Sequence, residues 1–125
     1  MPAAPEPPAP GRLQCRAEFL RVAAKGRKAP VPGLVLQALR RDDADPVRLG
    51  FTVTKKVGNA VTRNRARRRL RAVACEVLAA HAVSGHDFVL IARAETVTRA
   101  FADLKADLIA GLRRLGAWSV GAPRP

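Results

Sequence analysis

The sequence predicts an α+β fold, a single domain in which helices back one sheet in the order α-β-β-α-β-α. Three observations lead there. Apolar residues alternate with period two from Gly33 to Arg40 and again from Val47 to Thr54, and a third apolar run spans Asp87 to Arg93. Around these strands, apolar residues recur at steps of three and four, the spacing of one helix face. The chain has 125 residues, enough for one domain with a modest core.

Taken in order, residues 1–10 carry five prolines, which lack a backbone donor and fix φ, so they are expected to form a disordered Pro/Ala-rich tail. A short helix from about Cys15 to Ala24 follows, with Phe19, Leu20 and Ala23 at apolar steps and Gly26 as its stop. Lys25, Arg27 and Lys28 predict a basic loop that Pro30 and Pro32 close. In the first strand Leu34, Leu36 and Ala38 face one way, and Val35, Gln37 and Leu39 the other. Arg41–Pro46 holds three aspartates. Metal-dependent nucleases use such clusters, but Asp and Pro also satisfy a hairpin turn, and no second carboxylate group lies nearby to complete a two-metal site. A turn is the expectation. In the second strand Val47, Leu49, Phe51 and Val53 pack while Arg48, Gly50, Thr52 and Thr54 form a small polar face. After the strand at Asp87–Arg93, a last helix from about Thr98 to Leu115 puts Phe101, Leu104, Leu108, Leu112 and Leu115 on one stripe. Gly116 ends it, and residues 117–125 are expected to be a flexible tail.

The stretch between the second and third strands is the most distinctive. Lys55 to Arg71 holds eight of the chain's 23 Lys and Arg residues and no Asp or Glu. Ala66, Leu70, Val73, Ala74, Val77 and Leu78 share one helix face, while Asn64, Arg68 and Arg71, flanked by Arg65, share another. This predicts one amphipathic helix of about five or six turns, N-capped by Asn59 or Thr62. Guanidinium groups stay charged, bind phosphate oxygens bidentately and stack on bases, so six Arg and one Asn in nine residues point to a nucleic-acid backbone. Most charge runs are solvated faces, yet nothing acidic neutralises this one before Glu76.

Composition narrows the classes further. A net charge of +13 calls for a polyanionic partner. No apolar run is long enough to span a bilayer and no secretory apolar region opens the chain, so a cytoplasmic location without membrane attachment is expected. Cys15 and Cys75 have no CxxC spacing and are expected to be free thiols. His81 and His86 flank the Ser84-Gly85 turn without partners at metal-ligand spacing. No nucleophile has a base beside it, and no helix-turn-helix spacing supports DNA binding. No catalytic residue, metal site or cofactor site is therefore expected on the chain.

The segment Thr54-Lys55-Lys56-Val57-Gly58-Asn59-Ala60-Val61-Thr62-Arg63-Asn64-Arg65 resembles the signature of the bacterial ribonuclease P protein subunit, with its Arg-Asn-Arg core. Arg12-Leu13 with Ala17-Glu18-Phe19, then Arg48-Leu49-Gly50-Phe51, then Gly85 to Arg93 resemble further blocks of that family in the same order. The likeness covers residues 11–116. It implies a four-stranded α/β sandwich of the ribosomal protein S5 domain 2-like kind, in which one further short strand pairs with the three above, and a left-handed βαβ crossover around the arginine helix. It also implies a role: accessory subunit of a ribonucleoprotein endonuclease that removes the 5′ leader of precursor tRNA. The RNA subunit, paired 1:1 with the protein, would carry the Mg²⁺-dependent catalysis.

By the same resemblance Lys56, Asn59, Arg63, Asn64, Arg65, Arg67, Arg68, Arg69 and Arg71 would face the RNA subunit. Phe19, Ala23, Gln37, Thr52, Thr54, Lys55 and Arg93 would line a cleft for the single-stranded leader. Ala23 and Gln37 stand where family members often carry aromatics, and the chain has no Tyr, so this cleft should stack less and depend more on charge. On sequence alone Phe19 reads equally as a core residue of a short helix. The alternative function is a structural RNA-binding protein, such as a ribosomal protein. It would explain the charge and the helix but not four blocks matching in order.

Overall fold

A computed structural model describes residues 11–81 and 84–117. The chain runs β1 (Gly11–Arg12), α1 (Arg16–Lys25), β2 (Arg27–Val31), β3 (Leu34–Arg40), β4 (Arg48–Thr52), a 3₁₀ turn (Lys55–Val57), α2 (Ala60–His81), β5 (His86–Ala92), α3 (Glu95–Thr98) and α4 (Phe101–Arg114). The strands form one mixed sheet in the order β1-β4-β5-β3-β2. β2–β3 and β3–β5 are antiparallel, whereas β1–β4 and β4–β5 are parallel. The parallel β4–β5 pair needs a crossover, and α2 supplies it.

The alternation in β3 and β4 sorts their side chains onto two faces. On one, Leu34, Leu36, Phe88 and Leu90 pack against Leu70, Val73 and Val77 of α2 and Leu104, Leu108 and Leu112 of α4, all essentially buried. On the other, α1 covers a smaller cluster of Leu13, Val22 and Val89, with Phe19, Leu39 and Ile91 half-buried around it. The expected stripe of α2, from Ala66 to Leu78, is buried along its whole length. α1 ends where expected at Gly26. Its φ is an ordinary negative value, and space is the reason: a Cβ there would sit 2.5 Å from the carbonyl oxygens of both Val22 and Ala38.

Several expectations need correction. The sheet has five strands rather than four, because the supposed basic loop is β2, an edge strand with Arg27 and Lys28 exposed and Ala29 and Val31 buried. Cations and proline are what an edge strand tolerates, since its outer side has no partner. Arg41–Pro46 is not a hairpin turn, because β5 lies between β3 and β4. The segment instead wraps Arg41, whose Nε donates to Asp43 and whose Nη2 donates to the carbonyls of Asp45 and Pro46. The last helix is broken at Arg99–Ala100. Thr96 is held by its hydroxyl, which donates to the Gly33 carbonyl at 2.6 Å, and Arg99 turns to the carboxylate of Asp107. Phe101 therefore starts α4 at an exposed end, off the buried stripe. Ala117, assigned to the tail, packs into the core and donates its N–H to the Leu112 carbonyl at 2.9 Å. The expected tails at 1–10 and 118–125 lie outside the described residues.

Candidate nucleic-acid interface

The approach to α2 is shaped by Gly58, whose φ of 148° is a conformation that side-chain-bearing residues rarely adopt. Just before it the 3₁₀ turn presents Lys55 and Lys56 to solvent. Asn59 then caps α2, its Oδ1 accepting the Thr62 N–H at 2.9 Å; Thr62 lies inside the helix. Asn64, Arg65, Arg68 and Arg71 are exposed, and the guanidinium of Arg71 lies 5.9 Å from the centre of the Phe51 ring. Arg63 is half-buried and donates to the Gly58 carbonyl at 3.0 Å, bracing the entry turn. Arg67 donates to Asn64 Oδ1 at 3.1 Å. Arg69 turns the opposite way: its Nε donates to the Thr96 carbonyl at 2.8 Å and its Nη2 to that of Arg99. Of the nine residues expected to face an RNA partner, Arg69 is thus held at the joint between α2 and the α3–α4 break.

The sheet face under α1 carries the second expected group. Register places Gln37, Val89 and Gly50 in one row and Val35, Ile91 and Thr52 in the next. Gly50 makes room for Phe19, since a Cβ there would lie 2.5 Å from the ring's Cε2. Phe19 is half-buried in the small cluster, so it is both core and partly open. Ala23 is exposed on α1, while Gln37 is buried on the sheet. Thr52 is half-exposed, and Thr54 and Lys55 continue outward from the end of β4. Arg93 follows β5 and donates to the Val31 carbonyl at 2.9 Å. Phe19, Gln37 and Thr52 thus share one face, with Val35 and Ile91 as a half-exposed apolar floor that sequence reasoning did not assign.

Also unassigned was the ion network that seats α1. Asp87, 1% exposed, accepts from Arg41 Nη1 at 2.6 Å and from Arg48 Nε and Nη2 at 2.8 and 2.7 Å. Arg48 Nη1 also reaches Glu18 of α1 at 2.6 Å. Glu18 Oε1 accepts the N–H groups of Gln14 and Cys15, which with Arg48 hold its carboxyl below the usual range. For Asp87 burial pushes the pKa up, but the hydrogen bonds from Arg48 and Arg41 outweigh it and hold the carboxyl low. A lone acid inside an apolar run was the available signal. Asp43 and Asp107 are likewise taken by Arg41 and Arg99. These acids pair away from α2, where Glu76 instead meets Lys105 at 3.6 Å, so the helix's basic face keeps its charge.

A helix-backed sheet with an arginine-rich helix and an open face beside it defines a small nucleic-acid-binding protein. Comparison with known proteins specifies which. A family model described as ribonuclease P matches residues 8–116. A ribonuclease P protein component of Gluconacetobacter diazotrophicus is 61% identical over 105 residues, covering 84% of this chain and 90% of its own. One from Bacillus cereus is 36% identical over the same shares. Among solved structures, the RNase P protein of Staphylococcus aureus has a TM-score of 0.73 at 28% identity, covering 86% of this chain and 97% of that one. That of Thermotoga maritima has a TM-score of 0.68 at 27% identity, over 83% and 94%. The chain belongs to the ribonuclease P protein family. It is a protein subunit of a tRNA-processing, RNA-binding enzyme, and the ribosomal alternative is not favoured. Among the described residues no helix is long and apolar enough to cross a membrane.

Proposed function

We propose that this chain binds the ribonuclease P RNA 1:1 through α2 and holds the 5′ leader of precursor tRNA in the cleft between α1 and the sheet, in the cytoplasm. One observation carries the reading: α2 exposes a row of Asn64, Arg65, Arg68 and Arg71, and Arg71 shares the wall of one cavity with Phe19 and Gly50 under α1. Phosphate neutralisation by such a face releases condensed counterions, which favours binding and makes it salt-dependent. Two RNAs meeting on one basic protein repel each other less, so less Mg²⁺ is needed to bring them together.

Catalysis is assigned to the RNA subunit, with Mg²⁺ held there and by the substrate. Among the described residues no group of three or more His, Cys, Asp or Glu could hold a metal ion, and Glu18, Asp43, Asp87 and Asp107 are taken by guanidinium groups. The protein's part is to bind and orient. In the cleft, the ring of Phe19 offers a stacking surface, and Lys55 and Arg93 track the backbone of a single strand. Ala23 and Gln37 offer no ring, so charge and hydrogen bonding dominate.

Filter binding with reconstituted RNA subunit tests this. With the protein present, precursor tRNA is expected to bind more tightly than mature tRNA, and Phe19→Ala is expected to narrow the gap. Equal affinity for precursor and mature tRNA, with and without the protein, would contradict the assignment of the cleft.

A further inference from the structure

We propose that the open edge of β4 carries a pocket for one unpaired ribonucleotide, a proposal that rests on the ribonuclease P reading above. The cavity has a volume of about 450 Å³, within the range of small-ligand sites. It lies where the sheet edge passes between α1 and α2, and neither expected RNA surface accounts for Arg12, Gln14 or Phe51 on its walls.

Its form follows from the brevity of β1, which pairs only with Arg48 and Leu49. The carbonyls of Val47 and Leu49 point to that edge, accepting the N–H groups of Gly11 at 2.7 Å and Leu13 at 2.9 Å. By strand alternation the peptide groups of Phe51 point to the same edge, beyond the end of β1. Gly50 leaves its side-chain space to Phe19, so one aromatic ring stands on each side of the strand. Three arginines line the cavity: Arg12 from the sheet edge, and Arg67 and Arg71 from α2. Arg67 is steadied by Asn64, and Arg71 lies over Phe51.

This combination matches the parts of a nucleotide. Rings and an Arg-on-ring stack take the face of a base. A strand edge offers a donor and an acceptor to the polar rim of the base, and guanidinium forks take its phosphate. A paired, stacked base cannot reach the strand edge, so the ligand is an unpaired nucleotide. It could come from a loop or bulge of the RNA subunit or from the leader, which share this chemistry.

Photocrosslinking in the reconstituted holoenzyme tests the proposal. Gln14, which is exposed, is replaced by p-benzoylphenylalanine, and a second protein carries the same group in place of Arg68 as a control. Crosslinks are mapped once with labelled RNA subunit and once with labelled precursor tRNA, which identifies the source. The expected result is a crosslink from position 14 to one or two adjacent unpaired nucleotides. Adding Phe51→Leu, which keeps the apolar bulk, or Arg12→Gln, should weaken it about fivefold or more, the scale of one lost base–aromatic stack. Crosslinks spread over paired regions, or indifferent to both substitutions, would overturn the pocket while strong crosslinking from position 68 kept the ribonuclease P reading intact. Loss of crosslinks from both positions would overturn both.

Discussion

Arg68 and Arg69 are adjacent in sequence, and one helical step of rotation gives them different tasks. Arg68 is exposed on the charged face, whereas Arg69 donates to the carbonyls of Thr96 and Arg99. Arg68→Ala should leave stability within about 0.5 kcal/mol and lower the salt slope of RNA binding by about one phosphate contact. Arg69→Ala should instead cost roughly 1.5–3 kcal/mol, the range for hydrogen bonds from a charged donor. Urea titration and binding at several salt concentrations separate the two. Asp87 acts differently again, as the buried centre of the Arg41–Arg48 network. Its folded pKa is depressed, so its contribution is full above its unfolded value of about 3.9 and is lost as pH falls through the lower folded value. Asp87→Asn is expected to destabilise by about 3 kcal/mol near neutral pH, measured by urea unfolding. It should also remove part of the acid dependence below about pH 4 that the wild-type chain shows. Gly50→Ala should force the Phe19 ring aside, at a cost of about 1–3 kcal/mol, and weaken leader binding in the same titrations.

At the scale of elements, α2 was legible because its stripe and its basic face both repeat at helical steps, and Asn59 stood in place as a cap. Asn59→Ala should cost about 1 kcal/mol, measurable by thermal or urea unfolding. β2 was not legible, because Arg27, Lys28 and Pro30 read locally as a loop and become a strand only through pairing with β3. The order of the sheet was hidden for a related reason. Whether β3 and β4 pair or flank β5 depends on contacts between residues far apart in sequence, as in Leu36 opposite Leu90. The break before α4 depends on Thr96 reaching Gly33, 63 positions away. The candidate site divides along the same line. Its basic residues were readable from type and spacing, but the inward turn of Arg69 and the Phe51–Arg71 contact arise only when α2 meets the sheet and α3.

For the molecule as a whole, the net charge of +13 is distributed rather than uniform. Acids pair with arginines in the network under α1 and at the start of α4, and α2 keeps its cations for a partner. The two faces of the sheet divide the work: the α2–α4 side holds the main core, and the α1 side holds a shallow cluster that leaves Val35, Ile91 and Thr52 partly open. Affinity for RNA should therefore fall steeply as salt rises. The most direct test is cleavage of a precursor tRNA by a bacterial ribonuclease P RNA at low Mg²⁺, with the wild-type chain, with an Arg65→Ala/Arg68→Ala variant, and with no protein. The expected result is that the wild-type chain restores 5′ processing and the variant does so only at lower salt. Tight RNA binding with no change in processing would contradict the account.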